Sequence, residues 1–358
     1  MNNSFIPPRS TNIIVLVAAL VIVIAGINLA QSVVVLFLFS FFIALLGTTP
    51  VLWLKRKRIP SAVAVLIVML GMVILLIIIG AQIGASLRGF SEELPLLQIS
   101  IREQIVKFSA ILTSKGFAVN EKFFLEYVNP EAIMKLTAGL LSGFSSMLSD
   151  LLLILLTVAF ILLEVSSFPK KLRIILGDPE QAFPKFIKFV VDIKRYMVIK
   201  TIINLAAGIL IAAWMYILDV QFPILWGFLA FLLHYIPSIG SIIAAVPAAL
   251  LALVQLGMGS ALLVVAGNIL VGFIIGNVIE PRLMGRKLGL STLVVFLSLI
   301  FWGSLLGLMG AILCIPLTMA LKFASESNES TKWIAVLLGT EKFDEVAPAK
   351  KEKKNKPE

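Results

Sequence analysis

The stretch FPILWGFLAFLLHYIPSIGSIIAAVPAALLALVQL occupies residues 222–256, and how it is read decides the fold. It is apolar almost from end to end, yet Pro237-Ser238-Ile239-Gly240-Ser241 interrupts it near the middle. A helix that spans a bilayer needs about 20 predominantly apolar residues, so a block of about 35 is long for one span and short for two with a loop between them. A second block, 290–321, poses the same problem and carries the same kind of break, at Trp302-Gly303-Ser304. Each block therefore reads as a broken, re-entrant helical hairpin that dips into the membrane and returns. Eight full spans are the alternative.

Composition supports a membrane setting for the whole chain. Of 358 residues, 59% are hydrophobic and 14% charged, and the mean hydropathy is +1.05. Soluble domains carry about 45–50% apolar and about 25% charged residues, so this chain has too few charges to cover a water-soluble fold. The formal charge of +10 follows from the enrichment of Lys and Arg in cytoplasmic loops and calls for no nucleic-acid partner. One cysteine, Cys314, and one histidine, His234, exclude a disulfide framework and a multi-His metal site. No GxxxxGK[ST] loop is present for ATP-driven transport, and no G-x-S-x-G or H-E-x-x-H arrangement for an intramembrane protease. A transporter without cofactor or metal is expected, not an enzyme.

Six further stretches read as firm spans: 13–30, 32–54, 62–87, 148–163, 201–218 and 261–279. The first is too long for a signal-peptide core and lacks a small-residue cleavage site, so it is expected to be retained. Lys55-Arg56-Lys57-Arg58 is the strongest topogenic signal in the chain, and 166–200 adds Lys170, Lys171, Arg173, Lys185, Lys188, Lys194, Arg195 and Lys200. With these, the 280–289 segment and the basic tail all inside, the N- and C-termini are cytoplasmic and each apolar block crosses an even number of times. Residues 88–145 balance six basic against six acidic side chains, with Ile101, Ile105, Phe108, Ile111 and Leu112 on one helical face and a helix start at Asn129-Pro130-Glu131. The chain thus divides into spans 1–87, a small extramembrane helical insertion 88–145, a transport core 146–322 and a cytoplasmic tail 323–358.

Non-helical backbone at membrane depth is tolerated only where it is buried in protein or lines a wet cavity, and transporters bind substrates at such breaks. Pro237, Ser238, Gly240 and Ser241 are therefore candidates for a substrate path, beside a simple proline kink. Asn204, Asn268 and Asn277 place amides within spans, as binding groups or as interhelical glue. Glu280 and Arg282 close the span at 261–279, where they line a path or Glu280 pairs with Arg282 or Arg286 at the cytoplasmic interface. His234, Glu164 and Lys200 are candidates for proton or ion coupling, or for packing and interface anchoring. The small-residue pairs Gly272/Gly276 and Gly303/Gly307 suit close helix packing.

The runs from His234-Tyr235-Ile236-Pro237-Ser238-Ile239-Gly240-Ser241, from Gly276-Asn277-Val278-Ile279-Glu280-Pro281-Arg282-Leu283-Met284-Gly285 and from Gly289-Leu290-Ser291-Thr292 to Phe301-Trp302-Gly303 resemble the signatures of the AI-2E family of transporters. Leu163-Glu164 and Lys200-Thr201 extend the likeness, which covers the chain except the first ten residues and the tail beyond 340. The resemblance implies a bacterial inner-membrane exporter of autoinducer-2, a quorum-sensing signal, and a homo-oligomer, a pentamer, without a soluble energy-coupling subunit. Some members of the family resemble Na⁺(Li⁺)/H⁺ antiporters, which makes monovalent cations the alternative cargo. His234 stands where an Asn is common before Tyr-Ile-Pro. A membrane scaffold that binds an envelope partner through 88–145 is the reading from another class.

Overall fold

The computed structural model describes residues 9–114, 150–164, 182–284, 289–326 and 331–339, with the isolated positions 139, 142 and 171. Every element among them is helical: α1 (Arg9–Leu29), α2 (Gln31–Arg56), α3 (Ser61–Ser114), α4 (Leu151–Glu164), α5 (Ala182–Ile217), α6 (Pro223–Leu233), α7 (Gly240–Leu256), α8 (Met258–Ile274), a π-helical turn (Ile275–Ile279), α9 (Glu280–Met284), α10 (Thr292–Glu326) and α11 (Lys332–Leu338). Five helices are long and apolar enough to cross a membrane, namely Gln31–Arg56, Ser61–Phe90, Phe186–Ile217, Met258–Leu283 and Thr292–Glu326. The expected first span is helical as α1 but is not among these five. The expected fourth is described only as α4, of 14 residues.

Both broken blocks fold back on themselves. In the first, Gln221 N donates to Gln255 Oε1 at 3.3 Å across 34 positions, so the far ends of α6 and α7 meet. In the second, α10 consists of two helical arms that meet at a kink. Its Trp302 Nε1 donates to Thr318 Oγ1 at 3.1 Å, and that hydroxyl lies 2.8 Å from Ser298 Oγ. In a straight helix residues 16 and 20 positions apart would sit about 24 and 30 Å apart along the axis. The reversal is at Gly307, whose φ of 65° and ψ of −149° belong to a region open essentially to glycine alone. The expected break at 302–304 is thus displaced by a few residues, because glycine backbone freedom sets the turn and the adjoining Ser and Trp remain helical.

The ends of this second hairpin are fixed at both limits. Its tip meets Gln31, the first residue of α2, where a Cβ on Gly307 would come within 3.3 Å of the amide nitrogen. At its open end Lys322 Nζ donates to Gly289 O at 2.8 Å, and Ser291 N donates to Leu338 O at 3.3 Å. The segment 323–358, expected as a cytoplasmic tail, contributes the end of α10 and α11, which packs against the base of the hairpin. Residues 340–358 lie outside the described residues.

A second difference concerns the insertion at 88–145. Its first part, 88–114, prolongs α3 without interruption, giving a helix of 54 residues, about 80 Å long at 1.5 Å per residue. The change from apolar to polar sequence after residue 87 alters the surroundings of the helix and leaves its backbone pattern intact. The expected helix start at 129–131 lies outside the described residues.

The interior collects on α5, α6, α7 and α10, where Ile211, Met215, Trp226, Leu229, Leu233, Leu251 and Leu313 are almost completely buried. Phe90 from α3 meets Trp226 edge-on at 5.2 Å. Gly208 and Gly227 bring α5 and α6 into backbone contact, since a Cβ on either would reach 2.6 Å from the other's carbonyl oxygen. Leu66, Leu70, Ile77 and Leu152, together with Leu262 and Leu270, are by contrast exposed. An apolar exterior around a packed interior is the arrangement of a multi-pass membrane protein, in which lipid replaces water at the surface.

Paired cysteines test the fold-back of α10. In protein carrying Ser298→Cys and Thr318→Cys with Cys314→Ser, mild oxidation should form an intramolecular disulfide, read by mass spectrometry. A disulfide requires Cα atoms within about 7 Å, so failure to cross-link would favour a straight helix.

Candidate functional site

The break in the first hairpin begins where α6 ends at Leu233. His234 N still donates to Ala230 O at 2.9 Å, but Tyr235 and Ile236 turn tightly onto Leu232 and Leu233, and Gly240 N donates to Ile236 O at 3.3 Å as α7 starts. Pro237 contributes no N–H to this turn. Ser238 adopts a left-handed φ of 62°, a conformation that costs a residue with a Cβ about 1–3 kcal/mol and recurs at functional sites. Gly240 is pressed against the Leu233 carbonyl, leaving no room for a side chain.

Helix α5 holds this turn in place through one face. Tyr235 Oη lies 2.6 Å from Thr201 Oγ1, which itself donates to Met197 O at 2.7 Å, so the tyrosine hydroxyl is the donor to threonine. One turn further, the Asn204 amide is satisfied when its nitrogen donates to Lys200 O at 3.3 Å and its oxygen accepts from Tyr235 N at 3.1 Å. Asn204 is wholly buried. It supports the break from behind and does not touch the open space in front of it.

That space is a cleft of about 520 Å³ lined by Lys200, His234, Ile236, Pro237, Ser238, Gly240, Ser241, Ile242, Ile269, Gly272, Phe273, Ile275, Gly276, Asn277 and Glu280. One wall is the hairpin tip and the other is α8 with the π turn. Gly272 lets the two walls approach, since a Cβ there would stand 2.5 Å from Ser241 Oγ. The π turn widens the helix by about one residue and rephases the residues after it. Asn277 lies within it, its Nδ2 donating to Phe273 O at 3.2 Å, and Glu280 comes directly after.

Glu280 Oε2 receives a hydrogen bond from Lys200 Nζ at 2.7 Å, with the two side chains 21% and 5% exposed. This corrects two expectations. Glu280 pairs across 80 positions of sequence and not with Arg282, and Lys200 is a buried partner in place of an interface anchor. A lysine this deep is stable only with its counter-charge, and α9 brings Glu280 to the place on α5 where that charge is needed.

Of the residues singled out from sequence, Pro237, Ser238, Gly240, Ser241, Asn277, Glu280, His234 and Lys200 come together in the cleft. Arg282 is exposed beyond it. Glu164 lies outside the lining, in an exposed ion pair with Lys171 at 2.6 Å. Asn268 donates Nδ2 to Val264 O of its own helix at 3.0 Å, and among the described residues its buried Oδ1 has no hydrogen-bond partner, so no interhelical bond is seen for it there. The contributions of Thr201, Tyr235, Ile269 and Phe273 were missed, whereas Gly272 takes the close-packing role expected of it. The α8 members of this set, with Gly276 and Glu280, recur at three- and four-residue steps on one helical face, a signal present in the sequence. Among the described residues no group of His, Cys, Asp and Glu is placed to hold a metal ion.

Known proteins share this chain's sequence over nearly its whole length. The model of the AI-2E family transporters matches residues 13–329. The Escherichia coli (strain K12) "AI-2 transport protein TqsA" is 39% identical over 94% of this chain and 98% of its own. A Haemophilus influenzae "Putative transport protein" is 35% identical over 90% and 94%, and the E. coli "Putative transport protein YhhT" is 34% identical over 92% and 94%.

The ion pair makes an asymmetric prediction about stability. Lys200→Met or Glu280→Gln alone should each cost about 3–5 kcal/mol by stranding the other group, and the double substitution should recover most of that loss. Thermal unfolding in detergent micelles measures this, and single variants as stable as the wild type would mean that the pair is not closed in solution.

Proposed function

The chain belongs to the AI-2E family of transporters, and from that membership we propose that it exports autoinducer-2, a small polar furanose derived from dihydroxypentanedione, across the bacterial inner membrane by way of this cleft. The cleft's volume falls within the range of small-molecule sites, about 300–1,000 Å³. A broken hairpin whose polar groups face a cavity is the arrangement by which transporters receive cargo. The name of the TqsA relative supplies the substrate class.

The observation that carries the reading is electrostatic. Lys200 and Glu280 are the base and acid of the lining, and at 2.7 Å they cancel one another. A neutral, hydroxyl-rich ligand enters such a site without leaving a buried charge unpaired. A monovalent cation meets a carboxylate already held by an ammonium group, which disfavours Na⁺(Li⁺)/H⁺ antiport. Ser238, Ser241 and Asn277 supply weak donors and acceptors suited to a polyhydroxylated cargo. In this reading the spans number six, with two re-entrant hairpins, both termini are cytoplasmic and the protein assembles as a homo-oligomer, a pentamer.

The test is efflux of labelled autoinducer-2 from proteoliposomes holding the purified protein, with and without a proton or Na⁺ gradient. Gradient-independent efflux is expected. Asn277→Ala, and Lys200→Met combined with Glu280→Gln, should each slow it at least about tenfold in protein that still unfolds cooperatively, the loss of about 1.4 kcal/mol of ligand interaction. Wild-type flux in both variants would remove the path from this cleft. No signal flux, with proton movement on adding Na⁺ or Li⁺, would establish the antiporter instead.

A further inference from the structure

We propose that α11 is a membrane-interface helix, lying across the base of the second hairpin with Trp333, Val336 and Leu337 seated at the boundary between lipid headgroups and acyl chains. This placement is independent of what the cleft carries. The register of the hairpin fixes the depth of α11. Thr318 Oγ1 and Ser298 Oγ lie 2.8 Å apart, which sets these positions of the two arms at one level. Ser325 lies seven positions beyond Thr318 and Ser291 seven before Ser298, so they share a level as well. Thr331 Oγ1 donates to Ser325 O at 3.1 Å, and Leu338 O accepts from Ser291 N at 3.3 Å. Both ends of α11 are therefore tied at the same depth, one to each arm. Its seven residues measure about 10 Å at 1.5 Å per residue, close to the spacing of two packed helix axes, about 8–10 Å. The helix thus crosses from arm to arm, along the bilayer plane and not through it.

That depth is the edge of the lipid-facing surface. The stretch Thr292–Glu326 is long and apolar enough to cross a membrane, and Leu293 and Leu321, within a turn of the two ties, are exposed. From Trp333 to Leu338 the sequence of α11 has no charged or amide side chain and no hydroxyl. The protein uses one face of it, where Ala335 is buried and Leu338 packs against the core. The other face carries Trp333, Val336 and Leu337 at three- and four-residue steps, and these are 62%, 52% and 66% exposed. A helix that is apolar all round belongs where neither face meets water. One that lies in the bilayer plane meets this condition by sinking its outer face about 5–10 Å into the headgroup–acyl boundary. Tryptophan, a large apolar ring with a single N–H, concentrates at that boundary. The bilayer is therefore the occupant that fits, because the face of α11 continues the apolar exterior of α10 at the same depth. Through the ties at Ser291 and Ser325, one leaflet holds the base of the second hairpin.

Spin labels decide what the outer face meets. Full-length protein carrying Cys314→Ser receives Trp333→Cys, Val336→Cys or Leu337→Cys, or Leu270→Cys on the exposed side of α8 as a reference within a span. Each is labelled and reconstituted into phospholipid vesicles, and power saturation with oxygen and with a nickel chelate reads access from lipid and from water. The three α11 labels should favour oxygen over nickel more than free label in buffer does, and less than the label at 270. Nickel access equal to that of free label would place the face in water and overturn the proposal. Labels shielded from both reagents would overturn it as well, by assigning the face to another protein surface, a second copy included. If the Cys314→Ser protein does not fold, tryptophan fluorescence answers in its place. The emission that Trp333→Leu removes from otherwise wild-type protein should be smaller in vesicles of phospholipid brominated near the headgroup than in unbrominated ones, and an equal loss in both would overturn the proposal.

Discussion

Where a helix is interrupted away from water, its freed N–H and C=O groups must find partners inside the protein or face a cavity. In this chain the interruption is at 234–239, and α5 meets the requirement. Asn204 Oδ1 shares the Tyr235 N–H with Leu232 O, Thr201 receives the Tyr235 hydroxyl, and Lys200 reaches past the turn to Glu280. Three positions on two successive turns of one helix thus fix a tight loop that has little structure of its own. The cleft exists because the loop is held on its rear side only, leaving Ser238, Ser241 and the imidazole edge on the other.

The same economy governs α8. The π turn lies directly before Glu280 and rephases the helix by about one residue, and the carboxylate that follows it closes on Lys200. The wide turn costs hydrogen-bond geometry and gains a closed ion pair in a region where neither charge is tolerable alone. Gly272 and Gly240 do the complementary work in steric terms, letting the hairpin tip sit against α8 and against its own first arm. Packing, backbone satisfaction and charge compensation therefore converge on residues drawn from four segments, α5, the hairpin tip, α8 and the π turn with α9.

Much of this was legible in the sequence. Two apolar blocks of awkward length, each with a Gly- or Pro-bearing break, pointed to hairpins, and the hydrogen bonds Gln221–Gln255 and Trp302–Thr318 show chains that double back. The clustering of Pro237, Ser238, Ser241, Asn277 and Glu280 was expected from broken-helix logic. What stayed hidden were relations between distant positions. Nothing local to Lys200 says that it meets Glu280, because both sit at helix ends where an interface role is equally natural. The π turn left no mark in hydropathy, and neither did the continuation of α3 to Ser114, since hydropathy reports surroundings and not hydrogen-bond register.

The closure of Lys200 onto Glu280 has an energetic consequence for whatever passes through. A transmembrane potential does work on moving charge, about 2.3 kcal/mol per elementary charge per 100 mV. Two opposite charges that travel together present no net charge to that field, and a neutral cargo presents none either. Under the proposed export of a neutral cargo, an ion pair that moves as a unit therefore couples no net charge to the resting voltage of the cell.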